Sequence, residues 1–177
     1  MTLPNKQEQL IEQIASMPDP KTLRKRADEL VRMDEDDKNG EDSLELNYNA
    51  RGSDRYFWED GAGQEANIIF KADGENDDSV LVYAYDHESA FNVYGEDAPQ
   101  LAWSDLPKVF NPLLEEDYLK WDFDDIEEPR RVQATVVIWR EHGDTEWQVS
   151  PNFLEQVNNV QDNGGFKYAF KNFFVKE

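Results

Sequence analysis

The chain has 177 residues, enough for one domain with a substantial core, and its apolar material is unusually aromatic, with 10 Phe, 7 Tyr and 5 Trp. It carries 39 acidic against 18 basic residues, a formal net charge of -21, which argues against nucleic acid and anionic membrane surfaces as partners because both would repel it. Cysteine is absent, so a disulfide framework and a thiolate zinc site are excluded.

The opening Met1-Thr2-Leu3-Pro4-Asn5 lacks a basic region followed by an apolar core, as a secretory signal would need. No run approaches the roughly 18 apolar residues of a membrane helix. The expected location is the cytoplasm. Residues 5–17 then place Leu10, Ile14 and Met17 at helical spacing, which predicts a helix with one apolar face. Pro18-Asp19-Pro20 ends it. Asp19 can cap a second helix, and Pro20 suits its first position, where an amide is unpaired anyway. This helix is expected to reach about Arg32, with Leu23, Ala27, Leu30 and Val31 as its stripe. Lys21, Arg24, Lys25 and Arg26 gather on its first turns, the wrong end for the helix dipole. They read either as a docking patch or as bases answering an acidic body. The second is preferred, since charge runs are usually solvated faces.

Residues 1–33 hold a net charge of +1, which leaves -22 on the other 144. The expected organisation is therefore a helical hairpin over 1–33, an acidic linker over 34–43 and an α+β domain over 44–177. The linker imitates a calcium loop only in part. With Gly40 in the glycine position, Asp37 and Asn39 fit as ligands, but the final position falls on Leu46, which offers no carboxylate.

Leu44 to Ala50 alternates apolar and polar residues, the pattern of a strand with one wet face. Arg55–Glu59 is a short aromatic strand, Gly61-Ala62-Gly63 a turn, and Ala66–Ala72 the next strand. Asp73–Asp78 turns again. Val80–Tyr85 is an uninterrupted apolar run that reads as a strand buried on both faces. Turns this short join antiparallel neighbours, so the strands form a meander. A short helix is expected after Ser104 and another from Pro112 to Trp121. Glu115–Glu128 holds eight acids and one lysine. Arg131–Arg140 and Thr145–Val149 are expected as a further hairpin. Asn163-Gly164-Gly165 is a breaker, followed by a terminal helix burying Phe166, Phe170, Phe173 and Phe174. The fold class is α+β: an antiparallel meander of five to six strands with helices packed on one face and an N-terminal helical hairpin.

The chemistry-bearing residues are few, and no catalytic residue is assigned. Asp86-His87-Glu88 and His142-Gly143-Asp144 each set a histidine among acids at a strand end. If they converged, Asp86, His87, Glu88, His142 and Asp144 could hold a divalent metal, and a metal-dependent hydrolase is the alternative reading. The competing reading makes them turn residues. Ser89 beside His87 and Asp86 suggests a nucleophile triad, but successive side chains diverge and no nucleophile elbow occurs. No glycine loop for phosphates or dinucleotides is present. Phe91, Tyr94 and Trp103, on a loop before the acidic segment, form a candidate contact surface, or else a plug over the core.

Tyr85-Asp86-His87-Glu88-Ser89, Trp103 with Leu106-Pro107, Val137-Ile138-Trp139-Arg140 and Gly143-Asp144 with Trp147 resemble a pattern in small bacterial proteins encoded near polymorphic toxins and proposed as immunity factors. The resemblance covers about residues 66–148 and implies a stoichiometric binder rather than a catalyst; no cofactor is expected. The expected function is accordingly an acidic intracellular binding protein, an immunity-type inhibitor of a basic toxin or nuclease. Its contact residues would be Phe91, Tyr94, Trp103, Glu115, Glu116, Asp117, Asp122, Asp124 and Asp125, steered to a cationic partner by charge.

Overall fold

The computed structural model describes residues 5–36, 43–48, 53–59, 63–71, 79–92, 101–110 and 134–171. Two helices lead, α1 (Lys6–Ala15) and α2 (Pro20–Asp36). Asn5 caps α1 by accepting the Glu8 N–H at 3.1 Å. Asp19 caps α2 in the same way, accepting the Thr22 N–H at 3.0 Å and the Thr22 hydroxyl at 2.9 Å. Those two bonds, the backbone one first, hold the Asp19 carboxyl below its ordinary value. α2 runs to Asp36, so the start of the expected linker is helical.

The sheet follows as β1 (Ser43–Tyr48), β2 (Ser53–Glu59), β3 (Gln64–Lys71), β4 (Val80–Asp86), β5 (Val136–Arg140) and the two-residue β6 (Gln148–Val149). Spatial order equals chain order, and every pairing is antiparallel. This is the expected meander. The register aligns Tyr56, Ile68, Val82 and Ile138 across four strands on one face. The other face carries Asn67, Tyr83 and Val137 in one row.

α2 lies on the first of these faces. There the Arg24 guanidinium sits 4.6 Å over the Phe70 ring, and the Tyr56 hydroxyl donates to Asp28. On the second face Trp103 packs against Tyr83 with ring centroids 5.2 Å apart. Val80 to Ala84 are buried on both faces for that reason. Leu10, Ile14, Leu23 and Ala27 of the helical pair join the same core as the strands. Leu81, Ile69 and Ile138 are each fully buried, and burying a side chain of that size contributes roughly 1.5–3 kcal/mol.

Three expectations need correction. Among the described residues, Ser104 does not start an α-helix. Instead the chain makes two 3-10 turns, Leu101–Trp103 and Lys108–Phe110. Asp105 between them has φ 61°, and Leu106 precedes Pro107, so helical backbone cannot continue. A helix that the spacing argument missed, α3 (Pro151–Val160), follows β6. The last described helix, α4 (Phe166–Ala169), is one short turn, with Phe166 and Phe170 buried as expected. Phe173 and Phe174 lie outside the described residues, as does the expected helix over 112–121.

Candidate functional site

β4 delivers Asp86, His87, Glu88 and Ser89 to one end of the sheet. There the chain turns, and a second segment, Asp162–Gly165, closes on it. Asp162 Oδ1 accepts the Ser89 hydroxyl at 2.8 Å and the Gly164 N–H at 2.7 Å. Asp162 Oδ2 accepts the Ala90 N–H at 3.1 Å. Ser89 Oγ in turn accepts the Phe91 N–H at 3.1 Å. One carboxylate and one hydroxyl therefore hold three backbone amides of two distant segments.

Thr135 ties the same corner from beneath. It is fully buried, and its hydroxyl donates to the Gly164 carbonyl at 2.7 Å while accepting the Asp86 N–H at 3.0 Å. Gly164 has φ +71°, and a Cβ there would collide with the Thr135 carbonyl oxygen. Asp86 Oδ1 accepts the Gln64 amide at 3.2 Å and the Glu88 N–H at 3.0 Å. His87 packs on Gly63, whose Cβ position its ring occupies, and its N–H donates to the Gly63 carbonyl at 3.3 Å. The imidazole is 42% exposed, and its Nε2 lies 4.0 Å from the Glu88 carboxylate.

The second histidine lies at the other end of the sheet. The His142 N–H donates to Ser79 Oγ at 3.1 Å, just before β4 begins, whereas His87 follows the end of β4. β4 and β5 are neighbours, but antiparallel pairing sets Val80 opposite Arg140 and Ala84 opposite Val136. Their C-terminal ends therefore point apart. The six strand residues Val80–Tyr85 separate the clusters, or roughly 20 Å at strand rise. Asp86, His87 and Glu88 cannot share an ion with His142 and Asp144, and no group of three or more such side chains among the described residues could hold a metal. The metal-centre reading is corrected accordingly. Asp144 instead locks its own turn: its carboxylate accepts the Glu141 N–H at 2.9 Å and its carbonyl accepts Arg140 Nε at 2.9 Å. Nor does a triad form at the first corner, since Ser89 is bonded to Asp162 and Asp86 to Gln64 and Glu88.

Two of the expected contact aromatics are core residues. Phe91 is buried against Phe153 with ring centroids 4.5 Å apart, and Trp103 is buried against Tyr83. Both turn inward because a large ring on a short connection gains more from the core than from water. Tyr94, Glu115, Glu116, Asp117, Asp122, Asp124 and Asp125 lie outside the described residues. On α2, Arg24 is engaged with Phe70 and Arg26 lies 3.6 Å from Glu29, while Lys21 and Lys25 are exposed.

No protein-family model, curated protein or solved structure matches this chain.

The residues that sequence reasoning missed are Thr135, Asp162 and Gly164, which build the corner. Asn163-Gly164-Gly165 signalled a break in the chain but not what it presses against. Asp162 just before two glycines is a turn-capping pattern, and that was the available signal. Ser150 offered a similar one. It caps α3 by accepting the Phe153 N–H at 3.2 Å, and its hydroxyl donates to Asp105 at 2.8 Å. The arrangement spends its polar groups on fixing backbone. It presents Glu88 to solvent, 78% exposed, on a rigid mount.

Among the described residues, no helix is long and apolar enough to cross a membrane.

Proposed function

We propose that this chain is an acidic binding protein that captures a basic protein partner, and that it works in the cytoplasm as an immunity-type inhibitor of a cationic toxin or nuclease. The observation that carries this reading is the charge: -21 overall, with -22 on residues 34–177. A field of that size raises the local concentration of a cationic partner and speeds its encounter. An antiparallel sheet with a buried core supports the reading, because a preformed mount loses little entropy on binding.

The test is inhibition of purified cationic nuclease domains by the full chain, with neutral and acidic enzymes as controls. The reading expects at least one cationic enzyme to lose its activity at one inhibitor per enzyme. Inhibition confined to the neutral or acidic enzymes would contradict it.

A further inference from the structure

We propose that Asn163 is a self-modifying site that the corner after β4 keeps shut. When Asp162 releases the Gly164 amide, the Gly164 nitrogen attacks the Asn163 side chain and converts it to isoaspartate or aspartate. The reaction is intramolecular and consumes only water. The Gly164 nitrogen loses its proton to solvent and forms a bond to Asn163 Cγ. The bond from Cγ to the side-chain nitrogen breaks, and that nitrogen takes a proton from solvent and leaves as ammonia. Water then opens the resulting succinimide ring at either carbonyl, and nothing is oxidised or reduced. Glycine hinders such an attack least, because it has no Cβ and reaches backbone conformations closed to other residues.

The groups that this step needs are engaged in the folded chain. The Gly164 N–H donates to Asp162 Oδ1 at 2.7 Å. Losing its proton there would set a negative nitrogen against a carboxylate, and a like charge that close disfavours the charged form. Asn163 Oδ1 accepts the Gly165 N–H at 3.1 Å, which holds the side chain toward the residue beyond its attacker. The Gly164 carbonyl accepts the Thr135 hydroxyl at 2.7 Å, and Gly164 is buried. Asn163 itself is partly exposed, so the solvent that carries the protons is at hand. The carboxylate that guards Gly164 also takes the Ser89 hydroxyl and the Ala90 N–H. Release of the turn after β4 therefore exposes the reactive pair, a local opening rather than a global one.

A corner that has reacted cannot close as before. Isoaspartate inserts a methylene into the backbone just ahead of Gly164. Gly164 has no room for one added carbon, because a Cβ there would already collide with the Thr135 carbonyl oxygen. Either product also adds a carboxylate to a turn that Asp162 and Asp86 already face, with Asp86 Oδ2 2.7 Å from where a Cβ on Gly165 would stand. Each completed opening thus leaves a permanent mark.

The experiment is peptide mapping by mass spectrometry of the full chain, incubated at neutral pH with and without urea. Conversion is read as the mass gained when an amide becomes a carboxyl. Asn39-Gly40, the other Asn-Gly pair in the sequence, is the internal reference in urea. Asn163 should convert as fast as Asn39 in urea. In the folded chain it should convert at least about tenfold more slowly than in urea, as befits a site reached only through local opening. Asp162→Ala should raise the folded-chain rate at Asn163, whereas Trp147→Phe, which loosens the molecule elsewhere, should not. Where Asp162→Ala does not fold, Ser89→Ala is read against the same standard. Folded-chain conversion as fast as in urea overturns the proposal, as does an Asn163 that stays intact in urea while Asn39 converts. A corner variant that converts no faster than the parent, or no faster than Trp147→Phe, overturns it too.

Discussion

Ser89 donates its hydroxyl to Asp162 at 2.8 Å, across 73 positions of sequence, and the same carboxylate takes the Ala90 and Gly164 amides. This bond decides how the corner after β4 is read. A serine committed to a turn carboxylate is a fastening rather than a nucleophile, and the histidine two positions before it packs on Gly63 instead. Removing the acceptor should therefore cost stability. Asp162→Ala leaves three donors without their partner, and a loss of about 1–3 kcal/mol is expected in urea unfolding. Ser89→Ala should cost less. The double variant should fall short of the sum by about 0.5 kcal/mol or more, since the two residues share a bond. Additive effects would show that the bond carries no weight.

The two glycines at this corner should differ when each is replaced. Gly164→Ala drives a Cβ against the Thr135 carbonyl oxygen, which is part of the backbone and cannot turn aside. Gly63→Ala drives one against the His87 ring, a half-exposed side chain that can rotate away. Both share the left-handed backbone penalty of about 1 kcal/mol. Gly164→Ala should lower the unfolding midpoint more than Gly63→Ala, and the reverse order would contradict the packing described.

Asp19 gives the helical hairpin a pH signature. Its carboxyl is held below the ordinary 3.8 by the Thr22 amide and hydroxyl. The charged form is thus favoured in the folded state. The stability it adds is complete above the unfolded value and is lost as pH falls from about 3.8 through the lower folded value. Asp19→Ala should cost about 1 kcal/mol at neutral pH, as for other capping residues. The gap between the two proteins should close in acid below that window. A gap that persists unchanged at the lowest accessible pH would show that the cap bonds do not depend on the charge.

Trp147 fastens the hairpin to the sheet by donating its ring N–H to the Pro18 carbonyl at 3.0 Å. Trp147→Phe keeps most of the ring volume and removes the donor. A loss of about 1 kcal/mol is expected, together with faster amide exchange in α1 and the start of α2. Exchange that quickens uniformly through the sheet as well would mean that the tether is not local.

Much of the architecture was legible because it rests on short-range rules. Val80–Tyr85 reads as a strand buried on both faces; Val80–Ala84 are buried, and Tyr85 is partly exposed at the strand's end. Asp19 and Pro20 mark the start of α2, and the meander of β1 to β4 follows from short turns between apolar runs, whereas the pairing of β4 with β5 joins strands remote in sequence. α3 was missed although Ser150, Pro151, Phe153 and Val157 carry a cap, a first-turn proline and helical spacing. Its stripe is only two residues wide and follows a hairpin signal that drew the reading toward strands. The candidate site was less legible, because its geometry depends on contacts remote in sequence. His87 and His142 look alike locally, yet antiparallel pairing places them at opposite ends of one strand pair. Phe91 and Trp103 look like loop aromatics, yet the core claims both. Nothing local to either residue encodes which neighbour it will meet.

The most direct test of the central claim is the association rate of the full chain with a cationic nuclease domain that it inhibits, measured across an ionic-strength series. The account expects a fast rate at low salt that falls steeply as salt rises, with dissociation changing far less. A rate indifferent to salt would contradict it, because the negative surface would then play no part in bringing the partner in.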